Sequence, residues 1–228
     1  MKLAWKEAFL LALLPSAIAL GVTLLRLAGE LGHWSDSWFV RTTGGLVPSS
    51  AVGWIAGITW LALPFGCYFS WRLARRGNRP GAPSRAILFA LVAVLVLYAG
   101  ARLSGLLLRP PALLPLVWSF GIAAAAIAWR AWPELGRALA AYGLLSRLPV
   151  AAVMLLAMRG HWGTHYDYAD LPQVAQLPLT TAYVFLALIP QLVFWVAFTI
   201  VAGVLAGSLS AAVPIRPFAP VRAVAPRA

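Results

Sequence analysis

The sequence predicts an all-α integral membrane protein: a bundle of six transmembrane helices with both termini in the cytoplasm. Three observations carry this reading. Of the 228 residues, 62% are hydrophobic and only 11% charged, which is more apolar surface than a water-soluble fold can hide. The apolar residues arrive in runs of about twenty, the length a helix rising about 1.5 Å per residue needs to cross roughly 30 Å of hydrocarbon. The charges between those runs fall mostly on one side.

The first run is Ala8–Ala28. Lys2, the stretch Ala8–Leu14 and the triplet Ala17-Ile18-Ala19 imitate a secretory signal peptide. The hydrophobic run continues through Leu20–Ala28, however, beyond the roughly 7–15 residues of a signal core, so it is read as a retained helix. The second run, Ala51–Trp71, contains Cys67, the sole cysteine, which rules out an intrachain disulfide and a thiolate metal cluster. The third to sixth are Ala86–Leu108, Ala112–Trp129, Ala138–Met158 and Leu179–Ala206. Residues 1–209 thus form the membrane domain. Residues 210–228 form a Pro/Arg-rich cytoplasmic tail, expected to be disordered because its prolines cannot continue a helix.

Threaded with the N-terminus inside, twelve basic residues (Lys2, Lys6, Arg72, Arg75, Arg76, Arg79, Arg85, Arg130, Arg137, Arg216, Arg222, Arg227) share one side with Glu7 and Glu134 alone. The other side sets Arg41, Arg109 and Arg159 against Glu30, Asp36, Asp167 and Asp170. This is the positive-inside bias. The net charge of +12 therefore reads as topology and contact with anionic lipid, not nucleic-acid binding. Sixteen arginines against two lysines, with abundant Ala, Gly and Pro, suggest a GC-rich bacterial genome and a plasma membrane. The expected partners are the bilayer and either a second copy of the chain or other membrane subunits.

Tryptophans mark the boundaries: Trp5, Trp71, Trp129 and Trp132 near inner ends, Trp34, Trp38, Trp54 and Trp162 near outer ends, where an indole satisfies both its apolar body and its N–H. Gly53-x-x-x-Gly57 and Gly203-x-x-x-Gly207 offer small residues one turn apart for close helix approach. There is also an internal echo. Gly32-His33-Trp34 precedes Pro64, and Gly160-His161-Trp162 precedes Pro190, at nearly equal spacing, as a parallel duplication would give.

Arg147 is the most informative residue for function, because the fifth run leaves about 14 Å of helix on either side of it. An arginine at that depth either turns into the bundle, where it meets an anionic group of a ligand or lipid, or snorkels along a tilted helix and caps loose carbonyls. With no carboxylate inside any run, the candidate partners are Gln191 on the sixth helix and carbonyls loosened by Pro64, Pro149 and Pro190. Arg26 and Arg102, nearer helix ends, are expected to snorkel. The second constellation is histidine-rich. His161 and His165 stand four apart, the helical spacing of two ligands to one metal, and His33, Asp36, Asp167 and Asp170 lie on the same side.

Two functional readings follow. In the leading one the chain is non-catalytic, a permease-like protein or the membrane-embedded subunit of a larger complex, with Arg147 and Gln191 lining a polar cavity. In the alternative it is a membrane enzyme or ion- or proton-handling protein using an outer cluster of His33, His161, His165 and Asp167, with a divalent metal as cofactor. The Gly-x-Ser-x-Gly, phosphate-loop and His-Glu-x-x-His motifs are all missing, which favours the first.

Overall fold

Proline sets the start of two of the helices. Pro83 and Pro133 each occupy a first helical position, where the missing N–H has no intrahelical acceptor and the fixed φ is already helical. In a computed structural model, which describes residues 3–41, 57–107, 114–168 and 176–213, the described chain forms six helices. They are α1 (Trp5–Leu31), α2 (Ala62–Arg75, entered through a 3-10 turn at Thr59–Leu61), α3 (Pro83–Leu107), α4 (Leu114–Ala131), α5 (Pro133–Gly160) and α6 (Leu179–Ala212). The protein is all-α. Four stretches (Trp5–Leu31, Pro83–Gly100, Pro133–Gly160 and Leu179–Ala212) are long and apolar enough to cross a membrane, which marks a multi-pass membrane protein with four candidate spans. The second apolar run begins among residues outside the described set, where Gly53 and residues 214–228 also lie; of the 210–228 tail expected to be disordered, Ser210–Ala212 instead continue α6.

Exposure is inverted relative to a water-soluble bundle. Leu10, Leu13, Leu14, Leu24 and Leu25 on α1 and Leu88, Leu91, Leu95 and Tyr98 on α3 stand exposed, while Ser16, Thr23, Glu30, Ser146, Arg147 and Gln191 are buried. That suits a solvent of hydrocarbon, in which polar groups must find partners within the bundle. α6 is the central element, packing on α2, α3, α4 and α5; α3 packs along α4, and α1 lies against α5.

Small residues set the α2–α6 contact. A Cβ on Gly66 would run into the backbone of Gly203, and one on Gly207 would come within 2.8 Å of the Gly66 carbonyl oxygen. The helices lie close enough for Ser70 Oγ to donate to the Gly207 carbonyl at 2.8 Å and for Cys67 Sγ to approach the Ala206 carbonyl at 3.6 Å. Gly203 and Gly207 are therefore the positions of close helix approach that their spacing predicts, with α2 and, through Leu135 and Leu139, α5 as neighbours.

The ends sort into two groups. Arg137 donates to the Leu3 carbonyl, the Trp5 and Trp129 rings lie 6.0 Å apart, and Trp132 Nε1 donates to Asn78 Oδ1 at 2.9 Å. Arg85 and Arg130 line one cavity. These contacts gather the start of α1, the end of α2, the start of α3, the end of α4 and the start of α5. At this end Arg72 lies over Tyr68, Arg75 over Trp71 and Arg85 over Phe89, at 5.9, 5.0 and 5.5 Å. The opposite end holds the close of α1, the close of α5 and the loop that follows α5.

Both Gly-His-Trp triplets are helix stops. His33 and His161 each adopt φ +49°, the left-handed conformation that ends a helix. The N–H of Trp34 reaches back to the Gly29 carbonyl and that of Trp162 to the Ala157 carbonyl, each spanning five residues as in a Schellman cap. The glycine is required because the indole folds over it: a Cβ on Gly32 would lie 2.7 Å from Trp34 Nε1, and one on Gly160 would collide with the Trp162 ring. The echo extends no further in the packing. α5 packs along α6, whereas α1 makes no comparable contact with α2 among the described residues.

Candidate functional site

α6 loses its regular winding over Tyr183–Leu188 and Pro190–Phe194, where it takes the wider π form. Pro190 has no N–H to give Leu186, four residues back, and Tyr168 Oη donates to the Leu186 carbonyl at 2.7 Å. Widened turns of this kind recur at functional sites, and this one presents Gln191 to the bundle interior, where it is buried.

Arg147 meets it there. The residue is 5% exposed; Nη1 donates to Gln191 Oε1 and Nη2 to Thr59 Oγ1, each at 3.3 Å, while Cζ sits 4.9 Å from the Trp195 ring centre. Gln191 Nε2 completes its own bonding on Met154 Sδ at 3.5 Å. Sequence reasoning pairs Arg147 with Gln191, and the structure brings the two together. It does not anticipate Thr59 or Trp195. Trp195 is legible in retrospect, standing four residues from Gln191 and hence on the same helix face; Thr59 leaves no such trace.

Two features give this place a positive character. No carboxylate lies within 4.0 Å of Arg147 among the described residues, and Arg147 Nε has no hydrogen-bond partner among them. Thr59, whose hydroxyl Arg147 reaches, is also the first residue of the turn that leads into α2.

The histidines and Asp167 are dispersed by comparison. His33 Nδ1 contacts Arg41 Nη1, and Arg41 also reaches Asp36 Oδ1 at 3.3 Å. His161 is exposed on its helix stop. Asp167 folds its own loop, accepting from the backbone N–H of Gly163 and Thr164 at 2.9 and 2.8 Å and from Thr164 Oγ1 at 3.3 Å. Asp170 lies outside the described residues. Among those described, no three of His, Cys, Asp and Glu group so as to hold a metal ion.

His165 instead pairs with Glu30, which hydropathy places just beyond the first run and the structure places in the last turn of α1. Its backbone N–H donates to Glu30 Oε2 at 3.0 Å, and its Nδ1 lies 2.6 Å from Glu30 Oε1. Arg26 Nε donates to the same oxygen at 2.8 Å. Arg26 thus pairs along its own helix with a carboxylate that is fully buried, where the sequence leads one to expect it to snorkel. Arg102 is exposed.

Comparison with protein-family models, curated proteins and solved structures gave no match.

Proposed function

We propose that this chain is a six-span protein of a bacterial plasma membrane, with both termini cytoplasmic, and that Arg147 and Gln191 form a site for an anionic group within the bundle. The activity is that of a non-catalytic, permease-like protein or of the membrane subunit of a larger assembly. The observation that carries the site is the buried guanidinium without a carboxylate. A charge out of water is costly unless it is paired, and among the described residues Arg147 has only neutral dipoles and an aromatic face around it. A carboxylate or phosphate placed against Nε, which has no partner among the described residues, would supply the missing counter-charge. The orientation rests on the basic residues at the end shared by the start of α1, the end of α2 and the start of α5.

The test of the site is to purify the full-length protein and an Arg147→Met variant in mild detergent, unfold both, and weigh the released small molecules and lipids by mass spectrometry. The expected result is an anionic species in about stoichiometric amount with the parent and absent from an equally monodisperse variant. A parent carrying nothing above detergent background, or a variant retaining the same species, rejects the site. For the threading, reporter fusions after Arg76 and after Asp170 should report opposite compartments; the same compartment for both rejects it.

A further inference from the structure

The loop after α5 is docked into the end of the bundle opposite the arginine-rich one. Thr164 and Tyr166 are 0% and 4% exposed. Tyr166 Oη donates to the Thr23 carbonyl of α1 at 3.4 Å, Tyr168 Oη ties the loop to α6 through Leu186, and His165 holds it to α1 through both contacts with Glu30. Of these anchors only the imidazole titrates near neutral pH.

The charges around it are few. α1 contributes Arg26 and Glu30, which pair with each other; the loop contributes Asp167 and the neutral phenol of Tyr166; α5 contributes Arg147, which bonds to the neutral Gln191 of α6. A nitrogen and a carboxylate oxygen 2.6 Å apart need a proton between them, which fixes the neutral tautomer with hydrogen on Nδ1. A second proton, on Nε2, would add a positive charge to a largely buried imidazole, 21% exposed, beside the charge of Arg26. Burial accordingly holds the docked imidazole below its ordinary value of 6.5, with Arg26 adding to the effect and Glu30 and Asp167 opposing it. Once the loop leaves, water restores the ordinary value.

We propose that His165, docked on Glu30, is a proton-binding site whose occupancy releases the 161–168 segment from the end of the bundle. Docking and protonation then exclude one another. Because the docked form has the lower proton affinity, the loop is held fully above pH 6.5 and loses its hold as the pH falls, with one proton taken up per release. Tyr166 leaves with it and gives up the Thr23 carbonyl. The proposal stands whether or not Arg147 binds an anion.

The experiment places a reporter thiol in the loop, Thr164→Cys with Cys67→Ala, in full-length protein reconstituted in liposomes. Labelling by a membrane-impermeant maleimide is measured from about pH 8 to about pH 5, each point normalised to detergent-unfolded protein at the same pH. The expected result is protection above about pH 6.5 and a rise approaching about tenfold per pH unit below it. Adding His165→Asn, whose amide N–H replaces the Nδ1 donor but does not titrate, should leave the thiol protected throughout. A flat profile in the parent overturns the proposal, as does an acid rise that survives unchanged in the Asn variant. Should the Asn variant be open at every pH, nitrogen-15 NMR of the parent decides. His165 taking up its proton over the same range as the rise in labelling supports the proposal, and His165 that stays neutral through that rise defeats it.

Discussion

Arg26 and Arg147 are both arginines in long apolar helices, and the bundle treats them differently. Arg26 has a carboxylate one turn along its own helix, Glu30 at 2.8 Å, and that carboxylate is shared with His165. Arg147 is the more deeply placed of the two, yet it has an amide, a hydroxyl and an indole. The first cluster is closed in charge and serves to hold the loop on α1. Among the described residues the second has no counter-charge, which is the ground for the anion site proposed there. On that proposal, a buried arginine is structural when its counter-ion belongs to the chain and functional when it does not.

Substitutions can break that distinction. The largest effect is expected for Arg26→Met, which leaves Glu30 buried with only an imidazole for company; loss of one member of a buried pair should lower stability by about 3 kcal/mol, read as the midpoint shift in denaturant unfolding in micelles. Gln191→Leu removes an acceptor from a charged donor and should cost about 2 kcal/mol, together with weaker retention of the anion. Trp195→Leu takes away the aromatic face over the guanidinium, worth about 1 kcal/mol. The smallest change in stability belongs to Arg147→Met. Relief from burying an unpaired charge offsets the lost contacts, leaving the unfolding midpoint within about 1 kcal/mol of the parent while the bound anion is lost. If Arg147→Met destabilises as much as Arg26→Met, the two arginines are alike and the distinction fails.

Hydropathy is a local signal, and it read the local features well. The first, fifth and sixth apolar runs, which fall wholly within the described residues, are helices whose ends lie up to six positions beyond those of the runs, and Arg147 with Gln191 emerges from depth alone because both sit well inside their helices. Glu30 escaped for a simple reason. The first run was ended at Ala28, where hydropathy falls, but the helix continues to Leu31 and carries the carboxylate inward. Its four-residue spacing from Arg26 was a legible signal of pairing. The bond between His165 and Glu30 joins positions 135 residues apart and depends on α1 and α5 lying side by side, which no periodicity encodes. The Gly-His-Trp repeat carried a real regularity of another kind than metal spacing suggests: a backbone reversal, not a coordination shell.

The widened winding of α6 has a further effect on phase. Gln191 and Gly203 both face α5, though at 3.6 residues per turn positions twelve apart should diverge by about 120° around the cylinder. The slack turns between Pro190 and Phe194 reduce that divergence, acting as a vernier between the polar half of the helix and its glycine half. Shortening the chain by one residue there would force a choice: either the glycines stay seated and the amide swings away from Arg147, or the amide stays and the tight crossing with α2 is lost.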